Sequence, residues 1–477
     1  MKKMRGVLAP VSPFFFYTLT LLLAGLVATP LQAQESRKVT LEEAVSTGLA
    51  NYQSIRAKQN YVLAAGALKQ QARNEYLPNL TASVQQSYGT VNGQFGPLGA
   101  VGVLGVSSAG PSYQDQSWNA GFGALYLVNT NWEVFTFGRV RSRIHLAEAQ
   151  IRRDSADLLQ EQFIHRVKIS SAYLNLLIMQ RLVGNAQSNL ERTRAIQQSV
   201  RVRTKNGLNA GVDSSLANAE LSRAKLVLIT ARDNEQQVSN QLAQLMNVSP
   251  TPFELDTAFF SQTPSEYTST AVVQNNPQVR FYQTRIDQAN VSAKAIRKSV
   301  MPGLTLFGVY QARASAFDYN YTPEYPNRYS SSYGDGISPS RYNYVAGVSI
   351  FWNLISPLKI RGQAKSQQFI AQAYQEEYNQ ISTLLQDQLI LADQRMQNML
   401  EGVREVPAQF QAARDAYIQK STLYKNGLTT IVDLQQALFA LNRAETDLGV
   451  AYVNVWQALL QRAAASGDFE LFIGQTK

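Results

Sequence analysis

The chain has no cysteine among its 477 residues and only two histidines. A disulfide framework and a cysteine for N-terminal lipidation are therefore excluded. The histidines, His145 and His165, are separated by 20 positions, about 30 Å along one helix, so they cannot share a metal ion within one chain. The sequence also lacks a phosphate-binding loop, a nucleophile elbow and a pair of catalytic carboxylates. We therefore expect no enzymatic activity, no cofactor and no metal site.

Long hydrophobic runs are also missing after the N-terminus. Residues 1–33 resemble a secretory signal, with Lys2, Lys3 and Arg5 before an apolar run and a plausible cleavage site at Ala33. The alternative is a membrane anchor, but the run is shorter than the ~20 residues of a spanning helix. Because no later run comes near that length, any membrane crossing must use β-strands.

The net charge of the chain is small. The formal charge is +10, but three of the positive charges lie in residues 1–33, which contain no acid, so the remaining chain carries 10 − 3 = +7. Its basic residues are mixed with Asp and Glu in helical segments, which favours solvated helix faces over nucleic-acid binding. We expect no nucleic-acid partner.

The sequence is an internal duplication. Segment 73–80 matches 297–304, Trp132 matches Trp352, and Lys-Asn-Gly-Leu at 205–208 recurs at 425–428, with separations of 224, 220 and 220 positions. We assign repeat 1 to residues 34–248, repeat 2 to 271–477, and the Ser-, Thr- and Pro-rich residues 249–270 to a linker.

Each repeat changes from helical to strand periodicity and back. A helical pattern over 41–75 ends before Pro78, and strict alternation follows, with Leu80, Ala82, Val84 and Tyr88 on one face. The pattern predicts strands at about 79–90 and 119–135, and at about 303–314 and 342–355. Loop 91–117 joins the first two strands, and loop 317–341 joins the last two.

Long helical hairpins follow the strands. Proline is absent from Ser112 through Ser249, so a helix can run from Gly138 to about Lys205, a length of roughly 100 Å. Asn-Gly-Leu at 206–208 and 426–428 predicts two reversals, with tips at about 206–213 and 426–433. A heptad-like spacing in the last helix predicts a coiled-coil seam of Leu434, Leu438, Leu441, Leu448, Tyr452, Val455 and Leu459.

Four strands cannot close a barrel, since single-chain barrels begin at about eight strands. Because hydrocarbon does not tolerate unpaired backbone groups, several copies must contribute strands to one barrel. Trp132, Phe135 and Trp352 at the strand ends are candidates for an interfacial girdle in contact with outer-membrane lipid; packing inside the protein is the alternative.

The Trp-containing strand ends, the Asn-Gly-Leu and Val-Asp hairpin tips and the duplicated helix–strand–strand–helix plan resemble the TolC family of outer-membrane channels. The resemblance covers about residues 38–470. It implies a mainly helical fold with a membrane β-barrel, formed by a homotrimer with twelve strands and long antiparallel coiled-coil hairpins. It also implies an exit duct for a tripartite efflux pump or a type I secretion system, in the outer membrane of a Gram-negative bacterium with the helices in the periplasm.

The same resemblance implies a gate at the periplasmic tip. Asp433 takes the first position of an acidic ring and Gln436 the second, while Tyr424 and Asp213 take latch positions and Thr429 replaces the basic latch partner. An alternative role for Asp213 and Asp433, which can coexist with the first, is N-capping of the returning helices. The tips, Asn206, Gly207, Leu208, Asn426, Gly427 and Leu428, are the expected contacts of a periplasmic adaptor.

Pro407 interrupts the descending helix of repeat 2 without a counterpart in repeat 1, which predicts a kink. With no site that could use chemical energy, the chain is expected to be a passive conduit worked by an inner-membrane pump of RND or ABC type. The alternative is a periplasmic coiled-coil scaffold or adaptor without a pore.

Overall fold

A computed structural model describes residues 37–93, 112–250, 252–264 and 272–476. The expected signal segment, residues 1–33, lies outside these ranges, as do residues 94–111 of the first predicted loop. None of the described helices is both long enough and apolar enough to cross a bilayer.

Repeat 1 consists of a helical arm, a strand pair and a long helical hairpin. Its elements are β1 (Arg37–Val39), α1 (Leu41–Asn51), α2 (Gln53–Asn74), β2 (Asn79–Thr90), β3 (Ala120–Phe135), α3 (Arg139–Lys205) and α4 (Gly211–Met246). The single helix expected over 41–75 is two helices, because Tyr52 between them has an extended backbone, with φ −66° and ψ 122°.

Repeat 2 follows the same plan with small additions. The linker contributes β4 (Phe253–Leu255), and the elements of repeat 2 are α5 (Pro277–Lys298), β5 (Gly303–Ser315), α6 (Tyr333–Ile337), β6 (Arg341–Phe351), α7 (Ser356–Lys425), α8 (Ile431–Ser466) and α9 (Glu470–Ile473). The strand expected over 342–355 ends at Phe351, so Trp352 lies just beyond it.

The four long strands form one antiparallel sheet in the order β2-β3-β5-β6. Cross-strand pairs keep the two faces separate: Leu80 lies opposite Thr130, and Val84 opposite Tyr126, on the more apolar face. Thr81, Ser83 and Gln85 lie on the other face, which is mainly polar. The outer strands β2 and β6 are exposed along almost their whole length, and on one side neither of them pairs with another strand in the part of the chain that the structure describes.

The far end of the sheet carries a strap on its apolar face. The Tyr126 hydroxyl donates to the carbonyl of Ile337 at 2.9 Å, which holds the short helix α6 against β3. A Cβ at Gly336 would lie 2.2 Å from Cβ of Phe122, so only glycine permits this close approach. The strap covers the apolar face at this end of the sheet, so the exposed apolar surface is shorter than the strands.

The helices form a layer that continues from the other end of the sheet. Near the sheet, α3 packs between α2 and α5, and α5 packs against α7; farther away, α3 pairs with α4, and α7 with α8. The chain therefore presents four helices side by side in each half of the layer.

The main hydrophobic core lies midway along the helices. Tyr173, Leu176 and Leu459 are at its centre, fully buried. The Tyr173 hydroxyl donates to the Val39 carbonyl at 3.0 Å and accepts from the Asp256 amide at 3.1 Å, which fixes the parallel pair β1-β4 on the helical layer. Part of the expected linker, residues 253–260, is thus a core element that sequence alternation was too short to reveal.

Both histidines have structural partners. The buried ring of His165 stacks on Tyr52 with a centroid distance of 3.8 Å, and its Nε2 lies 2.9 Å from the Leu245 carbonyl. His145 lies on the surface beside Glu148. The described residues contain no cluster of His, Cys, Asp or Glu that could hold a metal ion.

The predicted seam of α8 is wrong in its middle part. Leu434, Leu438, Leu441, Val455 and Leu459 are buried, but Leu448 and Tyr452 are only half-buried, and their neighbours Gly449 and Val453 are buried instead. An α-helix turns every 3.6 residues, so a strict heptad drifts by about 20° per repeat relative to a straight helix.

Candidate functional site at the hairpin tips

Both helical hairpins end in the same turn. After α3, the amide of Leu208 donates to the Arg203 carbonyl at 2.9 Å, and after α7 the amide of Leu428 donates to the Leu423 carbonyl at 2.9 Å. Gly207 and Gly427 have φ of +73° and +78°. This left-handed residue after the helix is the Schellman geometry that strongly favours glycine. The predicted reversals therefore lie at the expected positions, and the side chains of Leu208 and Leu428 project into solvent.

One arginine links the two tips. Arg203 Nε donates to Asn209 Oδ1 at 3.0 Å within the first tip, while Nη1 donates to the Lys425 carbonyl at 2.9 Å in the second. Its guanidinium also lies 5.5 Å from the centre of the Tyr424 ring. Hydrogen bonds from a charged donor are stronger than neutral ones, about 1.5–3 kcal/mol each.

Asn209 extends this link to the two expected latch residues. Its Nδ2 lies 2.8 Å from Asp213 Oδ2 and 3.2 Å from the Tyr424 hydroxyl, and donates to both. We call Arg203, Asn209, Asp213 and Tyr424 the inter-repeat link. The expected latch residues are therefore brought together, but through an asparagine rather than by direct contact.

Tyr424 is held inside a small apolar cluster at the tip. It is buried, and it packs with Val200, Ala217, Ile431 and Leu434. Burial raises the pKa of its hydroxyl, against a smaller opposing effect of the Asn209 hydrogen bond. The tyrosine thus remains neutral, and the link holds its hydroxyl inside the tip by a neutral hydrogen bond.

Asp433 is fixed at the start of α8 by two threonines. Thr430 is the N-cap, and its hydroxyl and the Asp433 carboxylate form a reciprocal capping box. The Thr429 hydroxyl donates to Asp433 Oδ2 at 2.8 Å. This bond, with those from Thr430, lowers the pKa of Asp433 below the ordinary aspartate value, because hydrogen bonds to a carboxylate favour its charged form.

The expectation that aspartates are the N-caps is therefore wrong at both tips. Thr430 caps α8, and Ala210 occupies the N-cap of α4 without a side-chain hydrogen bond. Asp213 and Asp433 each stand at the third helical position, where an acid still interacts favourably with the helix dipole. Gln436 is exposed on the same helix, about one turn beyond Asp433.

A second link between the repeats lies farther from the tips. Arg192 holds Glu445 with both ends of its guanidinium, at 3.0 and 2.6 Å, and also donates to Asn442 at 2.8 Å. It is 11 positions before Arg203 on α3, about 16 Å along the helix. The two links together hold α3 of the first hairpin to the second hairpin over the final part of its length.

Arg203 and Asn209 were missed by sequence reasoning, although a signal was present. At the repeat offset of 220, their counterparts are Leu423 and Thr429. Arg203 therefore places a cation where the second repeat has an apolar residue, and Asn209 places an amide where it has a hydroxyl, on either side of the repeated Lys-Asn-Gly-Leu. A cation and an amide that break the symmetry of a duplicated turn can form a contact between its two copies that a perfect repeat would lack.

Comparison with known proteins connects this arrangement to one family. Residues 44–248 match the model of the outer membrane efflux protein family, the stretch that contains the first strand pair and the first hairpin. The match covers most of the first repeat, less than half of the chain, and shows that this repeat is similar to the outer membrane efflux protein family. The predicted relationship to TolC-like channels is thereby confirmed.

Solved structures of outer-membrane channels share the fold of this chain. The Campylobacter jejuni CmeC channel matches with a TM-score of 0.71 and 13% identity, over 90% of this chain and 85% of that one. Vibrio cholerae VceC matches with a TM-score of 0.68 and 16% identity, over 90% of this chain and 96% of that one. The open state of Neisseria gonorrhoeae MtrE matches with a TM-score of 0.68 and 19% identity, over 90% of this chain and 88% of that one. No curated protein sequence matches the chain. At these identities the likeness concerns the fold, and it confirms the predicted fold class.

The remaining predicted residues lie on the sheet–helix junction and on α7. Trp132 and Trp352 are half-exposed, and Phe135 is exposed beside Phe137; Trp132 Nε1 donates to the Tyr76 carbonyl at 2.8 Å. All three lie at the strand ends that lead to the helices. Pro407 lies within α7, which continues on both sides of it, so the kink stays a prediction.

Replacing Arg203 with glutamine should loosen the contact between the two hairpin tips. The Arg203→Gln change removes the charged hydrogen bonds to the second tip, so we expect amide exchange over residues 420–434 to rise about tenfold or more. Hydrogen exchange followed by mass spectrometry measures this rate. Arg201→Gln is the control, since Arg201 is exposed nearby. Equal exchange in both variants would show that Arg203 does not hold the tip.

Replacing Thr429 with valine should make the tip of α8 more sensitive to acid. Because the pKa of Asp433 is lowered in the folded protein, its stabilising contribution is complete above the ordinary aspartate range and is lost as the pH falls through the folded pKa. Thr429→Val removes one bond to the carboxylate, so this loss should occur at higher pH. The pH dependence of exchange in the first turn of α8, corrected for intrinsic rates, tests it. Thr422→Val, whose hydroxyl bonds the Ile418 carbonyl, should leave the profile unchanged; an identical shift in both variants would contradict the assignment.

Proposed function

We propose that three copies of this chain form a closed twelve-stranded barrel in the outer membrane, continued by a helical tube, and that the assembly is a passive exit duct for export. The observation that carries the proposal is the pair of open, exposed sheet edges. Joining β6 of one chain to β2 of the next pairs the free backbone groups of both. Such long unpaired edges are otherwise a route to aggregation.

The composition of the sheet supports membrane insertion. The apolar face exposes Leu80 (73%), Val84 (65%), Val348 (62%) and Ile350 (70%), and it faces outward if the polar face lines the bore. Strands that span hydrocarbon must form a closed barrel, since no water is present to bond their backbone. Twelve strands spaced ~4.8 Å apart and tilted by ~40° give a barrel radius of about 12 Å.

The helical layer supports a tube in the periplasm. α3 contains 67 residues, a length of about 100 Å, and three chains would place twelve helices side by side. With ~10 Å between helix axes, the circumference is about 120 Å, which leaves an open bore. We place the core elements β1, β4 and α9 in a second layer on the outside of the tube, since on the inside they would obstruct the bore.

The tips are the proposed gate and the proposed contact of a periplasmic adaptor. The inter-repeat link holds the two hairpins of one chain together, so widening the bore at this end requires them to separate or to move as a pair. Asp433 of three chains would form a ring of carboxylates, which attracts cations, with the neutral Gln436 beside it. The exposed Leu208 and Leu428 side chains are suitable apolar anchors for the adaptor. An inner-membrane pump of RND or ABC type would supply the work.

The alternative, a periplasmic scaffold without a pore, accounts for the helices but not for the sheet. It needs neither matched strand pairs nor an apolar face with open edges. The two functions differ in a simple observation: a duct is recovered with the outer membrane as an oligomer whose migration in detergent gels changes on heating. A scaffold is recovered in the soluble periplasmic fraction.

Arginine substitutions on adjacent strand positions test the membrane assignment. Val84→Arg places a charge on the proposed lipid face, at a cost of about 2–4 kcal/mol near the bilayer centre, and should strongly reduce the heat-modifiable oligomer in outer-membrane fractions. Ser83→Arg, on the opposite face of the same strand, is the matched control and should assemble normally. Equal assembly of both variants would contradict a bilayer around this sheet.

Pro407 provides a test of the gate. A proline inside a helix removes one backbone hydrogen bond and bends the helix, and a bend in only one hairpin of each chain would narrow the bore. Pro407→Ala should therefore change the single-channel conductance in planar bilayers. Glu405→Ala, at an exposed position on the same turn, is the control. Unchanged conductance in Pro407→Ala would count against a role of the kink.

A further inference from the structure

Two arginines lie directly opposite each other near the outer end of the sheet. In the strand register, Gln85, Leu125, Arg313 and Arg341 form one row across β2, β3, β5 and β6. This row belongs to the polar face that carries Ser83 and Thr81. Arg313 and Arg341 are cross-strand partners on β5 and β6, two positions or fewer from the strand ends that lead away from the helices.

Neither arginine has a neutralising partner in the described part of the chain. Both are exposed, and among the residues that the structure describes neither side chain takes part in an ion pair or a hydrogen bond. Like charges directly opposite each other destabilise a sheet. An acid or a neutral residue at either position would remove this repulsion, so the sheet retains an unfavourable pair in a place where nothing in the fold requires it.

The rest of the sheet does not compensate for this charge. The only acid in the four strands is Glu133, which lies opposite Thr305 at the helix end and is paired with Arg139. Thr305 is eight positions from Arg313, about 26 Å along the strand. Of the carboxylates in the adjoining segments, Asp335 lies on α6 at the opposite, apolar face and bonds to Ser330 at 2.7 Å. Asp115, Asp318 and Glu324 form no ion pair with either arginine.

We propose that Arg313 and Arg341 of three chains form a cationic collar at the outer mouth of the duct, a binding site for polyanions that carry phosphate or sulfate groups. This inference rests on the proposed trimeric barrel. Six guanidinium groups would project into a bore whose wall has a radius of about 12 Å. Neighbouring pairs would then be roughly 20 Å apart at the wall and about 10 Å apart at the side-chain ends, close to the Debye length at 0.1 M salt.

The chemistry of the pair selects the ligand. Guanidinium groups present a planar fork of N–H donors that matches the oxygens of phosphate and sulfate and remains charged at any physiological pH. Two such groups side by side can share one tetrahedral anion, and three pairs can hold a molecule with several. The collar should also make the outer mouth favour anions over cations, because a ring of one charge sign in a narrow, low-dielectric pore concentrates the opposite ion.

Side-specific block in planar bilayers tests the collar. With the native protein inserted in a known orientation, inositol hexakisphosphate added on the extracellular side should reduce the ionic current at a lower concentration than on the periplasmic side. In Arg313→Gln and in Arg341→Gln, the concentration for half block should rise at least tenfold, and the reversal potential in a KCl gradient should shift toward cation preference. Arg313→Lys with Arg341→Lys keeps the charge and should retain most of the anion preference.

Arg328→Gln is the matched control, since it removes one exposed arginine from the neighbouring loop and should leave block and reversal potential unchanged. Heat-modifiable migration of every variant shows that the trimer is assembled. A conducting channel whose block and ion preference are the same in the glutamine variants as in the native protein would overturn the collar and leave the duct intact. An assembled native protein that conducts no ions would overturn the duct itself, and the collar with it.

Discussion

Backbone hydrogen bonding at two strand edges is the constraint on which the remaining structure depends. β2 and β6 each carry a row of amide and carbonyl groups with no backbone partner among the described residues, and one face of the sheet carries exposed apolar side chains that are unfavourable in water. In hydrocarbon each unsatisfied backbone group costs several kcal/mol, so isolated insertion is unfavourable over 11 or 12 residues. In the proposed trimer, pairing with another copy would satisfy both edges at once and would make the sheet part of the wall of a pore.

The same duplication that supplies matched strand pairs would, if perfect, supply two identical hairpins. A tube built from identical hairpins has no preferred contact within one chain, because every tip would offer the same surface. The departures from symmetry are therefore informative. Arg203 and Asn209 replace what would be a leucine and a threonine by the repeat, and these two side chains connect the first tip to the carbonyl of Lys425 and the hydroxyl of Tyr424. The proposed gate needs a contact that is strong enough to keep the tips together and weak enough to break when the gate opens. A few charged hydrogen bonds at a half-exposed tip satisfy both conditions.

The elements that could be predicted from the sequence are those with long or repeated signals. Strand β2 and helix α3 begin and end where alternation, Gly138 and the Asn-Gly-Leu turn indicate, because each signal extends over many residues or recurs at a fixed offset. β1 and β4 contain three residues each, too few for a period to be visible, and their position depends on tertiary contact with Tyr173. The capping of α8 by Thr430 instead of Asp433 shows a different limit: both residue types are good N-terminal caps, and only the backbone geometry decides which one occupies the N-cap. The inter-repeat link needed the spatial relation of two turns separated by about 220 positions, which no local pattern contains.

The charges of the proposed duct are arranged by position along its length rather than by overall composition. Four helices per chain carry mixed charges on solvated faces, so the net charge of the chain says little about the bore. The charge along the proposed bore depends instead on a few residues where the bore is narrow or lined by strands. These are Asp433 at the hairpin tips, whose pKa is lowered by hydrogen bonds from two threonines, and the arginine pair of β5 and β6 near the outer end. Fields from such groups fall off within about 10 Å in salt, far less than the ~100 Å length of α3. Each end therefore acts on a permeating ion independently, and a substitution at one end should leave the ion preference set by the other end unaltered.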